Sequence, residues 1–486
     1  MSIGLPESLN YKLPPSASDE CRSWISSVAP VGQQTVSISP PTTWMTANSG
    51  TGPFPANPTP ITFNLPTSQS RSTFLDTSQT TMSFRLAMTT TTAITASAYT
   101  LVLNGSAQSF FDMLSVYSQG AVLEQIQSYN LLSNFLVNNT MNGMDKMNAG
   151  SISMGTEAYS SGQTTLYDNG TELSVAFGTT GTYYFNFTVP LLSGVVGILN
   201  TSQKLLPVGQ LGTDAALQVV MQLASTLPIS TFCTGVTVQP VLSAITLDNF
   251  LINAHYVDIG VSSYDMLSQT LQDGKFFIKS TTYLNSNFAV PSGSSGTFQI
   301  PAAIRAQSLK SLFFYFSQNS NALAVSPNQN YDAICPALIS ASALIGSNRV
   351  PQRPMNPLQN PAYAFTCLQE ALGQKFIRGL TGSYSKWGYG ATTAIITGTD
   401  NLYSVPASGN RNSLAVIQAP NMNFHGINCE RLSSTLFSGV QTLASPPILE
   451  CNFGSATTTA LTCYFFGLLD QVIVIDTESH QISVRK

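Results

Sequence analysis

The chain has 486 residues, of which 43% are hydrophobic, and a formal net charge of −4 at pH 7. This length exceeds what one ordinary hydrophobic core organises, and it predicts two or three domains. The negative net charge and the absence of Lys or Arg runs argue against direct capture of nucleic acid, because phosphate binding needs clustered cations.

Charged residues make up only 9% of the sequence, whereas about 25% is typical of a soluble domain. Ser, Thr, Asn, Gln and Gly replace them. A subunit that buries much of its surface against other polar surfaces avoids the cost of desolvating charges. The composition therefore indicates dense assembly, although a secreted β-protein has a similar surface.

Residues 1–55 are rich in Pro, Ser and Thr, with Trp24 and Trp44 as isolated aromatic anchors. We expect an extended arm that is partly ordered by contact with other structure. The first residues have no charged segment followed by an apolar core, so no signal peptide is predicted. No apolar run reaches the roughly 18–20 residues that a membrane-spanning helix requires.

The first half of the chain is predicted to be mostly strands, because apolar residues alternate with polar ones over short runs. The predicted strands are residues 34–39, 61–65, 80–88, 99–103, 111–117, 121–126, 181–192, 217–223 and 250–256. Residues 138–180 are poor in apolar residues and are predicted to be a long loop.

The stretch 110–137 combines two strands with a helix. Gln119 and Gly120 are predicted to form the turn between the strands. Ser128 is predicted to cap a short helix. The apolar face of this helix is predicted to contain Ile126, Tyr129, Leu132, Phe135 and Leu136.

The second half repeats this layout. A helix is predicted over residues 263–272, capped by Ser263 and ended by Gly274. A Pro-rich loop over 350–361 precedes a second helix at 364–372. The predicted strands are 276–282, 297–300, 311–316, 414–418, 448–453, 461–466 and 472–475, the last two forming a buried pair. We therefore predict an all-β chain with an arm at 1–55 and two sandwich domains at 56–257 and 258–486, with short helices in the loops.

The seven cysteines are odd in number and include no CxxC pair, which favours buried free thiols over a disulfide framework or a zinc site. They are Cys21, Cys233, Cys335, Cys367, Cys429, Cys451 and Cys463. Cys335, Cys367 and Cys463 lie among apolar residues and are predicted to pack in the core.

The candidate residues for chemistry are few. Among the histidines His255, His425 and His480, only His425 lies near a cysteine, four residues before Cys429, and a metal centre needs more converging donors. His255 is expected to be solvated or hydrogen-bonded. No phosphate-binding loop, dinucleotide-binding or nucleophile-elbow motif is present. We predict no catalytic, metal or cofactor site.

A glycosidase would need two carboxylates flanking a sugar bond. Asp112, Glu124, Glu370 and Asp470 are candidates, but nothing in the sequence pairs them. Glu124 is predicted to make a capping or turn contact. Asp470 and Asp476 flank a predicted strand and are expected to be solvated at its ends. The aromatic clusters at 183–187 and 313–316 are predicted to be core.

Three patches resemble one protein family. The sequence FLDTSQ at 74–79, residues 81–88 and 106–111, and LEQIQSYNLL at 123–132 resemble the first jelly roll of major capsid proteins from polinton-like viruses and virophages. IPA at 300–302 with SLKSLF at 308–313 resembles a strand of their second jelly roll. YFFGLLDQVIVID at 464–476 resembles their closing strand.

The resemblance implies a double jelly roll, meaning two tandem eight-stranded jelly rolls, that stands upright in an icosahedral shell. Three subunits would give six rolls and a pseudo-hexameric capsomer of a DNA virus. It also implies that the partners are further copies of the chain, with penton and minor capsid proteins, and that other proteins package the genome, without specific nucleic-acid binding here. Membrane contact stays open. The alternative is a secreted or surface β-sandwich that binds carbohydrate, which predicts paired cysteines.

Overall fold

The fold is taken from a computed structural model of the chain. The structure describes residues 11–32, 35–38, 60–67, 70–90, 99–103, 106–141, 151–154, 167–168, 171–172, 181–200, 204–212, 217–224, 228–233, 242–318, 333, 336–373, 423–431, 437–458 and 460–486. Trp44, Cys335 and the strand predicted at 414–418 lie outside these residues, as does most of the loop predicted at 138–180.

The strands of the first half form two main antiparallel sheets. They are β1 (Arg22–Val28), β2 (Val36–Ile38), β3 (Ile61–Leu65), β4 (Thr73–Thr90), β5 (Tyr99–Leu103), β6 (Phe111–Ser118), β7 (Ala121–Ile126), β8 (Tyr167–Asp168), β9 (Thr171–Glu172), β10 (Gly181–Pro190), β11 (Leu217–Leu223), β12 (Ile229–Cys233) and β13 (Leu242–Asp258). One sheet has the order β1-β13-β4-β10, with β2 also on β13, and the other has the order β3-β11-β6-β7. β5 pairs with β12, and β8 with β9.

The strands of the second half form two further sheets. They are β14 (Lys275–Val290), β15 (Gly296–Pro301), β16 (Leu309–Gln318), β17 (Leu338–Ile345), β18 (Asn348–Met355), β19 (His425–Asn428), β20 (Ile448–Phe453), β21 (Leu461–Asp476) and β22 (Gln481–Arg485). Their orders are β14-β21-β16-β19, with β22 on β21, and β15-β20-β17-β18.

The two halves have the same topology. If the eight main strands of each half are numbered along the chain, one sheet pairs the first, last, third and sixth strands, and the other pairs the second, seventh, fourth and fifth. This is the strand order of a jelly roll, in which two Greek keys close two facing sheets. The predicted double jelly roll is confirmed, and we call the halves the first and second roll.

Five short α-helices are described, and two of them occupy matching positions in the two rolls. They are α1 (Ala17–Glu20), α2 (Tyr129–Thr140), α3 (Ser151–Met154), α4 (Val261–Ser268) and α5 (Pro361–Ala371). α2 follows β7 and α5 follows β18, so each helix leaves the same strand of its roll. α4 lies between the last strand of the first roll and the first strand of the second.

The cores consist of the inward faces of the sheets. β11 alternates regularly between buried and half-buried residues. In the first roll Phe84 packs on Phe110, Phe111, Phe187 and Phe250, with ring centroids 5.4–6.0 Å apart. Residues 313–316 are also fully buried. The prediction that these aromatic clusters are core is confirmed for residues 313–316 and for Phe185 and Phe187. It is wrong for Tyr184, which is 39% exposed on the outer face of its sheet.

The unit at 110–137 forms as predicted, apart from its cap. Gln119 and Gly120 both have positive φ and make the turn between β6 and β7. The predicted apolar face of α2 is buried. Ser128, however, adopts a left-handed conformation, and its side chain makes no cap hydrogen bond. Its carbonyl oxygen accepts from the backbone N–H of Leu131 and Leu132 instead.

Three other predictions were wrong. Residues 350–355 of the expected Pro-rich loop belong to β18. Among the described strands β18 pairs only with β17, so its prolines occupy an edge strand that tolerates a missing donor. The expected strand pair at the C-terminal end is the single strand β21. α4 begins two residues before Ser263, which is buried within the helix rather than capping it.

Part of the expected arm belongs to the first roll. β1 pairs along its whole length with β13, from Arg22 opposite Asp258 to Val28 opposite Ile252. Trp24 stacks on Tyr256 with 5.7 Å between ring centroids. The aromatic anchor predicted from the sequence therefore contacts its own chain, while the domain limits at 55 and 257 stay predictions.

Candidate functional site

His425 and Cys429, the only histidine–cysteine pair at close spacing, belong to the core of the second roll. Burial lowers the pKa of His425 from 6.5 to about 3, and its ring lies 5.0 Å from that of Phe314. Burial raises the pKa of the Cys429 thiol to about 12. Among the described residues, no group of three potential ligands could hold a metal ion.

The other two histidines lie on surfaces. His255 is half-buried on the outer face of the first roll, with Nδ1 3.9 Å from Oδ2 of Asp76. His480 lies in the turn between β21 and β22, and its Nδ1 is 2.8 Å from the carbonyl oxygen of Gln210. This contact joins the last hairpin of the second roll to the first roll.

The five cysteines whose side chains the structure describes are free thiols, as predicted, although one of them is not buried. Cys367, Cys429, Cys451 and Cys463 are buried and Cys21 is exposed, and none of these five forms a disulfide. Burial raises the pKa values of Cys451 and Cys463. Unpaired buried thiols do not fit the disulfide-bonded secreted carbohydrate-binding protein that we considered as an alternative.

Asp112, Glu370 and Asp476 lie on three different elements, β6, α5 and β21. Asp476 accepts hydrogen bonds from the backbone N–H of Ser479 and Glu478, which lower its pKa, so its predicted position at a strand end is confirmed. Burial raises the pKa of Asp112. Glu370 lies near the end of α5.

Asp470 is not solvated, contrary to the prediction. It is fully buried, because β21 continues through it as one strand between β14 and β16. Its Oδ1 lies 3.6 Å from Nζ of Lys279 and 3.8 Å from Nζ of Lys310. Its Oδ2 accepts hydrogen bonds from the Ser308 hydroxyl and the backbone N–H of Ser438. Asp470 is therefore the centre of a buried ion cluster.

Glu124 is also buried rather than part of a turn. It lies on β7 of the first roll, and its carboxylate accepts hydrogen bonds from the Ser193 hydroxyl and the backbone N–H of Gly194. The hydroxyl of Thr282, on β14 of the second roll, donates to Glu124 Oε1 over 2.5 Å. One carboxylate thus joins the two rolls.

Further polar contacts extend this junction. The Ser280 hydroxyl of β14 donates to the carbonyl oxygen of Gly194, and Gln471 Nε2 donates to Ser280. A Cβ at Gly194 would lie 2.1 Å from the carbonyl oxygen of Thr281, so only glycine permits this approach. We call Glu124, Gly194, Ser280 and Thr282 the roll junction. Sequence reasoning missed its serine and threonine, since nothing local distinguishes them in so polar a chain.

Aromatic packing supports the same junction. Phe135 of α2, in the first roll, lies 4.9 Å from Phe313, 5.4 Å from Phe424 and 5.5 Å from Phe466 of the second roll, measured between ring centroids. Phe135 of α2 is thereby buried against aromatic side chains of the second roll. Burial of a large aromatic side chain contributes about 1.5–3 kcal/mol, so the contact favours one fixed arrangement of the rolls.

The outer face of the β1-β13-β4-β10 sheet carries a row of uncharged polar side chains. The Ser27 hydroxyl donates to Asn253, Asn253 donates to Ser83, and Ser83 lies 3.0 Å from the Thr188 hydroxyl, so the row crosses all four strands. We call it the polar ladder. In this row, uncharged side chains supply one another's hydrogen-bond donors and acceptors.

One ion pair interrupts this face. Arg85 donates two hydrogen bonds to Asp248, of 2.8 and 2.7 Å, and lies 4.6 Å above the ring of Tyr184. Both charged side chains remain partly exposed.

No helix among the described residues has the length and apolarity needed to cross a bilayer.

The chain was compared with known families and proteins. No family model matches it, and no curated protein does either. Solved structures of viral capsid proteins match it over nearly its whole length, all at low sequence identity.

PBCV-1 VP54, fitted into a reconstruction of the virophage Sputnik, superposes with a TM-score of 0.55 at 10% identity, covering 96% of this chain and 97% of that one. The quasi-atomic model of the PBCV-1 capsid gives 0.54 at 9% identity, covering 96% and 97%. The mavirus major capsid protein gives 0.51 at 11% identity, covering 100% and 93%. The chain therefore has the double jelly-roll fold of these capsid proteins, as the resemblance implied.

Proposed function

We propose that this chain, with its double jelly-roll fold, is the major capsid protein of an icosahedral DNA virus and forms homotrimeric, pseudo-hexameric capsomers. The observation that carries the proposal is the tandem of two rolls with one strand order, joined by the buried roll junction. A single chain thereby holds two similar building blocks in one arrangement.

Threefold assembly uses this arrangement directly. Three copies around an axis place six similar rolls in a ring, and closed symmetry requires each copy to present the same two surfaces to its neighbours. Neighbouring copies also cover open sheet edges such as β1 and β18, which would otherwise invite uncontrolled pairing. The uncharged polar ladder is a surface that can be buried at low desolvation cost.

The proposed location is the virion shell, where the chain contacts further trimers and separate penton and minor capsid proteins. We assign it no enzymatic role, because Glu124 and Asp470, the most buried candidate carboxylates, are held by structural donors across the roll junction and the ion cluster. Genome packaging then belongs to other proteins.

Light scattering after size-exclusion chromatography tests the proposal. The recombinant chain is expected to elute with three times its mass of 51.9 kDa and to stay trimeric on dilution to micromolar concentration, since an obligate interface buries on the order of 2,000 Å² or more. A stable monomer under these conditions, without larger assemblies, would contradict it.

A further inference from the structure

A cavity of about 490 Å³ lies between the two rolls. α2 and the segment after β10 form one wall, while β14, the end of α5 and the end of β19 form the other. Its volume lies within the range of about 300–1,000 Å³ that small-molecule sites occupy. Neither the capsid role nor the roll junction requires such a space.

Most of the lining surface is apolar. Leu136 and Val137 of α2, with Leu192 and Leu199, face Leu468 and Leu372 across the space. Met141 and Met154 also line it, and methionine adapts its shape to varied apolar ligands. This wall suits a hydrocarbon chain, because each buried methylene is worth about 0.8 kcal/mol on transfer from water.

Lys310 and Glu430 supply a polar end. Nζ of Lys310 lies 3.7 Å from Oε1 of Glu430 and 3.8 Å from Oδ1 of Asp470. These separations exceed hydrogen-bond length, and both carboxylate oxygens are buried without a hydrogen bond. A hydroxyl group both accepts and donates, so it can bond the Lys310 ammonium and a carboxylate at once.

The charged side chains at the polar end also favour a neutral head group over a carboxylate or an amine. The ammonium groups of Lys279 and Lys310 balance the carboxylates of Asp470 and Glu430. Glu370 also lines the cavity but is exposed to solvent, so it does not belong to this buried cluster. A ligand carboxylate would add a negative charge beside Glu430, and an amine would add a positive charge beside Lys310. Burying either without a partner is costly. A neutral head group leaves the balance intact.

We propose that this cavity is a binding site for a neutral, single-chain amphiphile with an aliphatic tail and a hydroxyl head group. The tail occupies the apolar part of the cavity, between α2 and Leu468. The hydroxyl accepts a hydrogen bond from Lys310 and donates one to Glu430.

Calorimetric titration of the recombinant full-length chain, in whatever oligomer it forms, tests the site at neutral pH with n-octanol, octanoate and octylamine as probes. Saturable n-octanol binding is expected, with octanoate and octylamine about ten-fold weaker or worse because each buries an unpaired charge. Absence of n-octanol binding, or octanoate binding as tightly as n-octanol, would overturn the proposal.

Two variants form a matched pair. Ile198 lines the cavity and is 40% exposed, whereas Leu443 is 41% exposed and lies outside it, so both should accept a large side chain without loss of folding. Ile198→Trp is expected to weaken n-octanol binding about ten-fold by narrowing the cavity, and Leu443→Trp to leave it unchanged. Equal binding by both variants would refute the location.

Glu430→Gln tests the head-group assignment separately. It removes one negative charge and keeps the side-chain shape, so octanoate binding is expected to strengthen while n-octanol binding changes little. A loss of octanoate binding in this variant would contradict the charge argument. The result is independent of trimer formation, which the light-scattering experiment measures.

Discussion

The two rolls share a strand order, but each contains an ion pair whose burial differs from that of the other. In the first roll the Arg85–Asp248 pair lies on the outer sheet face and stays partly exposed. In the second roll Asp470 is fully buried between Lys279 and Lys310. The same topology therefore accommodates both a partly exposed and a buried ion pair. The alternation of apolar residues along the strands determines how the sheets form, and the positions of the charged side chains do not.

The largest expected effect comes from breaking the buried cluster. Asp470→Ala should lower the free energy of unfolding by about 3–5 kcal/mol, because two lysines lose their shared buried partner. Asp248→Ala, the matched change in the first roll, should cost about 1 kcal/mol or less. Denaturant unfolding of both variants measures the difference, and equal losses would contradict the distinction between the two pairs.

The roll junction is expected to give the next largest effect. Glu124→Gln replaces a charged acceptor by an amide and should lower the free energy of unfolding by about 1.5–3 kcal/mol. Glu478→Gln, in the exposed turn after β21, is the control and should change it by less than about 0.5 kcal/mol. If the two variants unfold alike, Glu124 does not hold the rolls together.

His425 makes the second roll sensitive to acid. Its pKa is about 3 in the folded chain and 6.5 as the ordinary value, so below about pH 6.5 the unfolded chain binds a proton that the folded chain does not. Stability is therefore complete above this pH and falls by about 1.4 kcal/mol per pH unit below it, down to about pH 3.

Unfolding free energies of the wild type and His425→Gln across this pH range measure the effect, because other titrating groups are common to both. The wild type should lose stability more steeply than the variant. Parallel curves would show that His425 is not held neutral by burial.

The smallest effect concerns the polar ladder. Asn253→Ala removes two hydrogen bonds from a partly exposed surface and should cost about 0.5 kcal/mol. Ser280→Ala, at the buried roll junction, leaves a backbone carbonyl and an amide without their partner and should cost about 1–3 kcal/mol. Thermal unfolding of the two variants measures both losses of stability. A larger loss for Asn253→Ala than for Ser280→Ala would contradict the view that the roll junction contributes more stability than the polar ladder.

Local periodicity predicted much of the fold. β3, β11 and β20 have the predicted bounds, because each alternates between the core and the outside with period two. The face of α2 from Tyr129 to Leu136 was likewise predicted from helical spacing. The turn at Gln119 and Gly120 followed from glycine's tolerance of positive φ.

Long-range contacts could not be predicted in this way. Glu124 and its partner Thr282 are 158 residues apart, so the sequence around Glu124 indicated only a turn contact. From the sequence, Asp470 was expected to interrupt its strand. In the structure β21 continues through Asp470, because two lysines from the neighbouring strands pair with the buried carboxylate. The prolines of β18 indicated a loop, because whether a strand lies at a sheet edge depends on the whole topology.

Electron microscopy of the purified recombinant oligomer tests the central claim most directly. Class averages viewed down the particle axis should show three copies with six rolls in a ring of pseudo-sixfold outline. Particles that contain a single pair of rolls, or a twofold assembly, would contradict the proposed capsomer.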